Sequence, residues 1–140
     1  MTVTSHPPQS PPAVLSLGFR PFFLLGALFV VIMIALWVPW FLGFIAVPSA
    51  FPPVAWHAHE LLFGFVPAII AGFLLTAVPN WTGRRPIVGL SLAALVLLWL
   101  AGRIAIALSA HVDPYVIATL SAAFPAVLAT SSEKAAGLEE

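Results

Sequence analysis

Cysteine is absent from this chain, and charge is scarce. Without cysteine there is no disulfide, no thiolate metal site and no iron–sulfur cluster. Any metal or haem must use histidine, methionine, tyrosine, carboxylate or backbone ligands. Charged residues fill 7% of the 140 positions, against about 25% in a soluble domain. So few cannot cover a surface that faces water. Formal net charge is zero and the basic residues form no patch, which leaves nucleic-acid binding without support. Nor is there a nucleophile–base set, a phosphate-binding loop or a paired-carboxylate motif.

What is present is apolar. Hydrophobic residues make up 61% of the chain, and mean hydropathy is +1.09. The class is therefore an integral membrane protein, an all-α helical bundle. Residues 1–14 are proline-rich and polar and are expected to be a disordered tail. They lack the basic region of a signal peptide. About 20 apolar residues cross a bilayer as a helix. Three runs meet that length, at residues 22–45, 57–78 and 87–108. A weaker run at 115–129 contains Thr119, Ser121 and Pro125 and reads as a short fourth span. Residues 130–140 are polar and should fray. Pro39 should kink or fray the end of the first span, and Pro67 should kink the second, freeing the carbonyl four residues back. The loop between them carries Pro48, Pro52 and Pro53 and no charge.

Lysine and arginine set the orientation. Arg20 precedes the first span, Arg84 and Arg85 lie between the second and third, and Lys134 follows the fourth. The N-terminus, the Arg84–Arg85 turn and the C-terminus are thus expected in the cytoplasm. His57, His59, Glu60, His111 and Asp113 then lie at the outer end.

The chemistry is concentrated in Trp56-His57-Ala58-His59-Glu60. On a helix, residues two apart point about 200° apart. His57 and His59 can therefore share one metal only from an extended segment. In a helix, His57 shares a face with Glu60, Gly64, Ala68 and Gly72, a small-residue row that admits a close neighbour. His59 shares the other with Phe63. Arg103 should lie roughly 7–8 Å below the outer end of the third span, at 1.5 Å per residue. Glu60 lies at a similar depth on the second. A charge at that depth costs several kcal/mol unless it is paired or hydrated. Either Glu60 and Arg103 form a structural ion pair with His57 nearby, or Arg103 faces an anion such as a haem propionate while a histidine binds the iron. The plainer readings are interfacial histidines and an arginine that snorkels to the headgroups. Arg84 and Arg85 read as topology anchors. His6 and His111 carry no role unaided.

These stretches resemble a known family. Gly18-Phe19-Arg20-Pro21-Phe22-Phe23-Leu24, the Trp56–Glu60 stretch, Gly64-Phe65 and the run Ala71-Gly72-Phe73-Leu74-Leu75-Thr76-Ala77-Val78-Pro79-Asn80-Trp81-Thr82-Gly83 are similar to NnrS proteins in order and spacing, over residues 15–103. The resemblance implies a multi-pass protein of the bacterial inner membrane that contains haem and copper. It also implies a part in the response to nitric oxide and nitrosative stress, beside denitrification. It favours His57 and His59 as metal or haem ligands, and it assigns no reaction. It further implies a larger bundle, of which this chain is the N-terminal part, so that later spans or other membrane subunits supply further ligands. Two other readings stay open: a non-catalytic or transporter-like segment in which the histidines, Glu60 and Arg103 are structural, and a proton or electron relay.

Overall fold

A computed structural model describes residues 12–136. Among them all regular structure is helical. A single 3₁₀ turn, Ala13–Leu15, leads into α1, Phe19–Phe41. Then come α2, Pro53–His59, a π-helical stretch, Glu60–Phe65, and α3, Val66–Thr82, which together form one continuous helical path of 30 residues. The last two helices are α4, Leu90–Ala107, and α5, Pro114–Ala136. The paths Phe19–Phe41, Pro53–Thr82, Leu90–Ala107 and Pro114–Lys134 are each long and apolar enough to cross a membrane. The fold is thus the all-α bundle expected, with four spans.

Several boundaries differ from those expected. The proline-rich tail lies mostly outside the described residues, but its expected limit at residue 14 falls inside the 3₁₀ turn. That turn is held from α1: Arg20 Nη1 donates to the Ala13 carbonyl at 2.7 Å and to Ser16 Oγ at 2.9 Å. The first helix ends at Phe41, not 45, two residues past Pro39. The stop is a Schellman motif. Gly43 takes φ 79°, its N–H bonds to the Trp40 carbonyl, and the Phe44 N–H bonds to the Pro39 carbonyl. The second path starts at Pro53, where a missing N–H costs nothing, and runs on past residue 78 to Thr82. Asn80 and Trp81 therefore sit in α3 and not in a turn. The fourth helix is longer than its apolar run, continuing to Ala136 through residues expected to fray. Two of its threonines are tied back to the helix: Thr119 Oγ1 donates to the Tyr115 carbonyl and Thr130 Oγ1 to that of Val127. Asp113 caps its start, accepting the Tyr115 N–H at 2.8 Å.

α1 packs along α3, and α5 lies against both α3 and α4. The larger core cluster joins Phe22, Ala68, Leu75, Leu92, Trp99 and Phe124. A smaller one, Met33, Trp56 and Ile106, lies towards the histidine end. Leu24, Val31, Leu62, Leu97 and many other large apolar side chains point outward. In water this would be a severe liability. Hydrocarbon accommodates it, and outward-facing apolar helices are what contact with a lipid bilayer requires.

The α1–α3 contact is close because its residues are small. A Cβ on Gly18 would lie 2.5 Å from Leu75 Cβ. One residue on, the Phe19 N–H donates to Thr76 Oγ1 at 3.1 Å, so a side chain of α3 satisfies an orphan donor of α1. Gly18→Ala should cost about 1–3 kcal/mol by overpacking. Gly102→Ala is the control, because its Cβ meets nothing nearer than 3.6 Å. It should gain about 0.5–1 kcal/mol from helix propensity. Thermal unfolding in detergent, followed by circular dichroism, checks both signs.

Candidate functional site

The site is built where α2 passes into the π-helical stretch. Pro67 has no N–H, so regular α-helical bonding cannot run through it. The irregularity expected at Pro67 takes the form of a widened turn just before it. The Val66 N–H reaches back five residues, to the Leu61 carbonyl. Turns of this kind recur at functional positions. Here the stretch carries Glu60 at its start and Gly64 near its end.

α4 meets this stretch with two donors. Trp99 Nε1 donates to the Gly64 carbonyl at 2.9 Å, and Arg103 Nη1 donates to Glu60 Oε1 at 2.9 Å. Trp99 and Arg103 are four residues apart and so share one face of α4. Glu60 is fully buried and Arg103 nearly so. The guanidinium reaches the carboxylate by passing over Gly64, where a Cβ would lie 2.8 Å from Nη1 and 3.1 Å from Cδ. Glu60 Oε2 and Arg103 Nε are buried with no hydrogen-bond partner.

The two histidines part company. Both lie on regular α-helix, so the extended arrangement that would let them share a metal is not adopted. His57 stacks on Trp37 of α1, with centroids 4.2 Å apart and planes at 26°. Trp37 is itself fixed, its Nε1 donating to the Pro53 carbonyl at 3.0 Å. His57 Nδ1 is buried without a partner. His59 lies between Phe51 and Phe63, at centroid distances of 5.7 and 5.1 Å. Its Nδ1 is 3.2 Å from Glu60 Oε1. That oxygen already accepts from Arg103, so it accepts from His59 too, and the imidazole proton sits on Nδ1.

His59 also borders a cavity of about 300 Å³. Phe51 of the loop, Ile106 and Ser109 of the α4 end, and Ile117 and Ser121 of α5 form its other walls. Ser109 holds the loop in place, accepting the Ala50 N–H at 2.9 Å and sharing a hydrogen bond with Ser49 Oγ at 3.1 Å. The structure thus brings His59, Glu60 and Arg103 together beside a small cavity, while His57 stacks on Trp37 instead. His111 and Asp113 lie in the α4–α5 turn, apart from this group, and His6 lies outside the described residues.

The family model described as NnrS protein matches residues 13–135. This chain belongs to the NnrS family. No curated protein and no solved structure matches it. Family membership and four membrane-length helices make it a multi-pass membrane protein. Among the described residues of this NnrS-family chain, no three His, Asp or Glu side chains lie close enough to hold a metal ion together. Two contributors escaped the sequence reading: Trp99 and the π-helical turn. The signals were there, in a tryptophan one helical turn before a buried arginine and a glycine three residues before a proline.

Removing one partner of a buried ion pair strands the other charge. Arg103→Met should therefore lower stability by about 3–5 kcal/mol. Arg103→Met combined with Glu60→Gln should recover most of the loss, because no charge is left unpaired. A double-mutant cycle of thermal unfolding in detergent reads the coupling; additive losses would show that the two side chains are independent.

Proposed function

We propose that this chain serves the response of a bacterial inner membrane to nitric oxide, and that His59 is its ligand for haem or copper. NnrS membership supports the nitric oxide part. The observation that carries the rest is the chain Arg103–Glu60–His59. Metal-binding histidines commonly donate their second ring N–H to a carboxylate, which fixes the tautomer and raises ligand basicity. His59 has that arrangement and borders a cavity, and Nε2 is the ring nitrogen not engaged by Glu60. The residues fit a haem better than a copper ion. One imidazole from a helix would serve to hold a haem, whereas a copper site needs several donors, and among the described residues no three His, Asp or Glu side chains group together. Further ligands then come from other membrane subunits or further spans.

Each residue has a separate task. Arg103 holds the Glu60 carboxylate in place. Glu60 holds the His59 proton on Nδ1 and sets the ring plane. Phe51 and Phe63 confine the ring. His59 would hold the haem, which would supply a metal able to bind nitric oxide. His57, stacked on Trp37, plays no direct part.

The basic residues favour an N-terminus in the cytoplasm. Arg84 Nη1 donates to the Lys134 carbonyl and the Gly89 N–H to the Leu15 carbonyl, so the N-terminal approach, the α3–α4 turn and the end of α5 share one end of the bundle.

The test is the visible spectrum of the protein purified in detergent with haem supplied, with and without nitric oxide. His59→Ala should abolish the haem band and His57→Ala should keep it. Glu60→Gln should weaken haem affinity by about 10–100-fold. If haem binds and responds to nitric oxide unchanged in His59→Ala, this assignment fails and the stretch serves the bundle alone. Orientation has its own check, since the chain has no native cysteine. In spheroplasts, His111→Cys should react with an impermeant maleimide, and Lys134→Cys only after lysis.

A further inference from the structure

The end of the bundle opposite the histidines is formed by the start of α4, the end of α5 and the α3–α4 turn. Between them lies a groove of about 1060 Å³. It exceeds the roughly 300–1,000 Å³ of ordinary small-molecule sites. Its apolar lining is Ile87, Leu95, Leu98 and Val127, with Leu95 buried. Its mouth carries three cations, Arg84, Arg85 and Lys134, with the hydroxyls of Ser91 and Ser131 just inside. The ion pairs among the described residues both involve Glu60, so none of these cations is neutralised by a carboxylate there. Glu133, the described acid nearest in sequence, is not part of the lining. Arg84 spans the groove at its mouth, donating from Nη1 to the Lys134 carbonyl.

We propose that this groove is a binding site for an anionic phospholipid, with the phosphate headgroup held by Arg84, Arg85 and Lys134 and an acyl chain lying on Leu95, Leu98 and Val127. Charge and polarity both point to this occupant. An apolar helix of a partner would match the apolar lining but leave three cations unmatched. An inorganic anion would match the cations but leave the apolar lining uncovered. An anionic phospholipid carries both halves, separated along its length as they are along the groove. Basic pockets between membrane helices are established sites for such headgroups. The proposal is independent of haem, of copper and of the role of His59.

Native mass spectrometry of the full chain from detergent tests it, with phosphatidylglycerol and phosphatidylcholine offered in competition. Phosphatidylglycerol should be retained selectively. Each of Arg84→Gln, Arg85→Gln and Lys134→Gln should weaken that preference by about fivefold, the factor equivalent to ~1 kcal/mol per basic residue near an anionic surface. Leu98→Trp, which enlarges the apolar lining and leaves every cation in place, should weaken retention of the lipid as well. Circular dichroism and gel filtration confirm that each variant is folded. Equal retention of the two lipids, or selectivity that survives the double substitution of Arg84 and Arg85, overturns the proposal. So does protection by inorganic phosphate alone, which would make this a free-anion site. A spin label on Ser91→Cys in phosphatidylglycerol nanodiscs gives a second reading. Broadening by a spin-labelled phosphatidylglycerol supports the site, and broadening only by a second labelled protein chain makes it a protein interface.

Discussion

A single buried ion pair governs the histidine end of this bundle. Two opposite charges in an apolar interior are tolerable only when they meet, and the chain bends its local geometry so that Glu60 and Arg103 do. Gly64 leaves a passage for the guanidinium, and the π-helical turn places the carboxylate and the glycine on the side that α4 approaches. Trp99 anchors the same turn one helical step away. The ion pair thus fixes how α4 sits against the second membrane path. It also fixes His59, which has no other polar partner among the described residues.

Much of the architecture was legible in the chain. Apolar runs of membrane length stand out against so few charges, and the depth argument put Glu60 and Arg103 in one layer. The small row Gly64, Ala68 and Gly72 is buried against neighbouring helices, as its spacing implied. Other features were not legible. Helix ends depend on local bonds that hydropathy does not register. Gly43 and its Schellman bonds stop α1 early, while α5 runs on past its oily part, with Thr130 Oγ1 bonded to the Val127 carbonyl. The separation of the histidines followed from helix geometry, but their partners did not. Trp37 and Phe51 come from other segments, and no local pattern announces them.

The stretches that carry the family resemblance do different jobs. Gly18 to Phe23 and Gly72 to Thr76 meet each other at the Arg84 end: Gly18 lies on Leu75, the Phe19 N–H bonds to Thr76, and Phe22 and Phe23 cover Gly72. That contact joins the first two membrane paths and involves no ligating residue. The Trp56–Glu60 stretch and Gly64 instead shape the polar layer at the other end. A recognisable motif can therefore mark a tight helix crossing as readily as a centre of chemistry.

The loop that follows α1 is stapled at both ends. The Schellman bonds hold it at Gly43, and Pro48, Ser49 and Ala50 are bound to the end of α4. Trp37 separately clasps α1 to the start of α2 through the Pro53 carbonyl. The short arc between Gly43 and Pro48 is thereby mechanically isolated. An epitope spliced into that arc would ride on the bundle as a passenger.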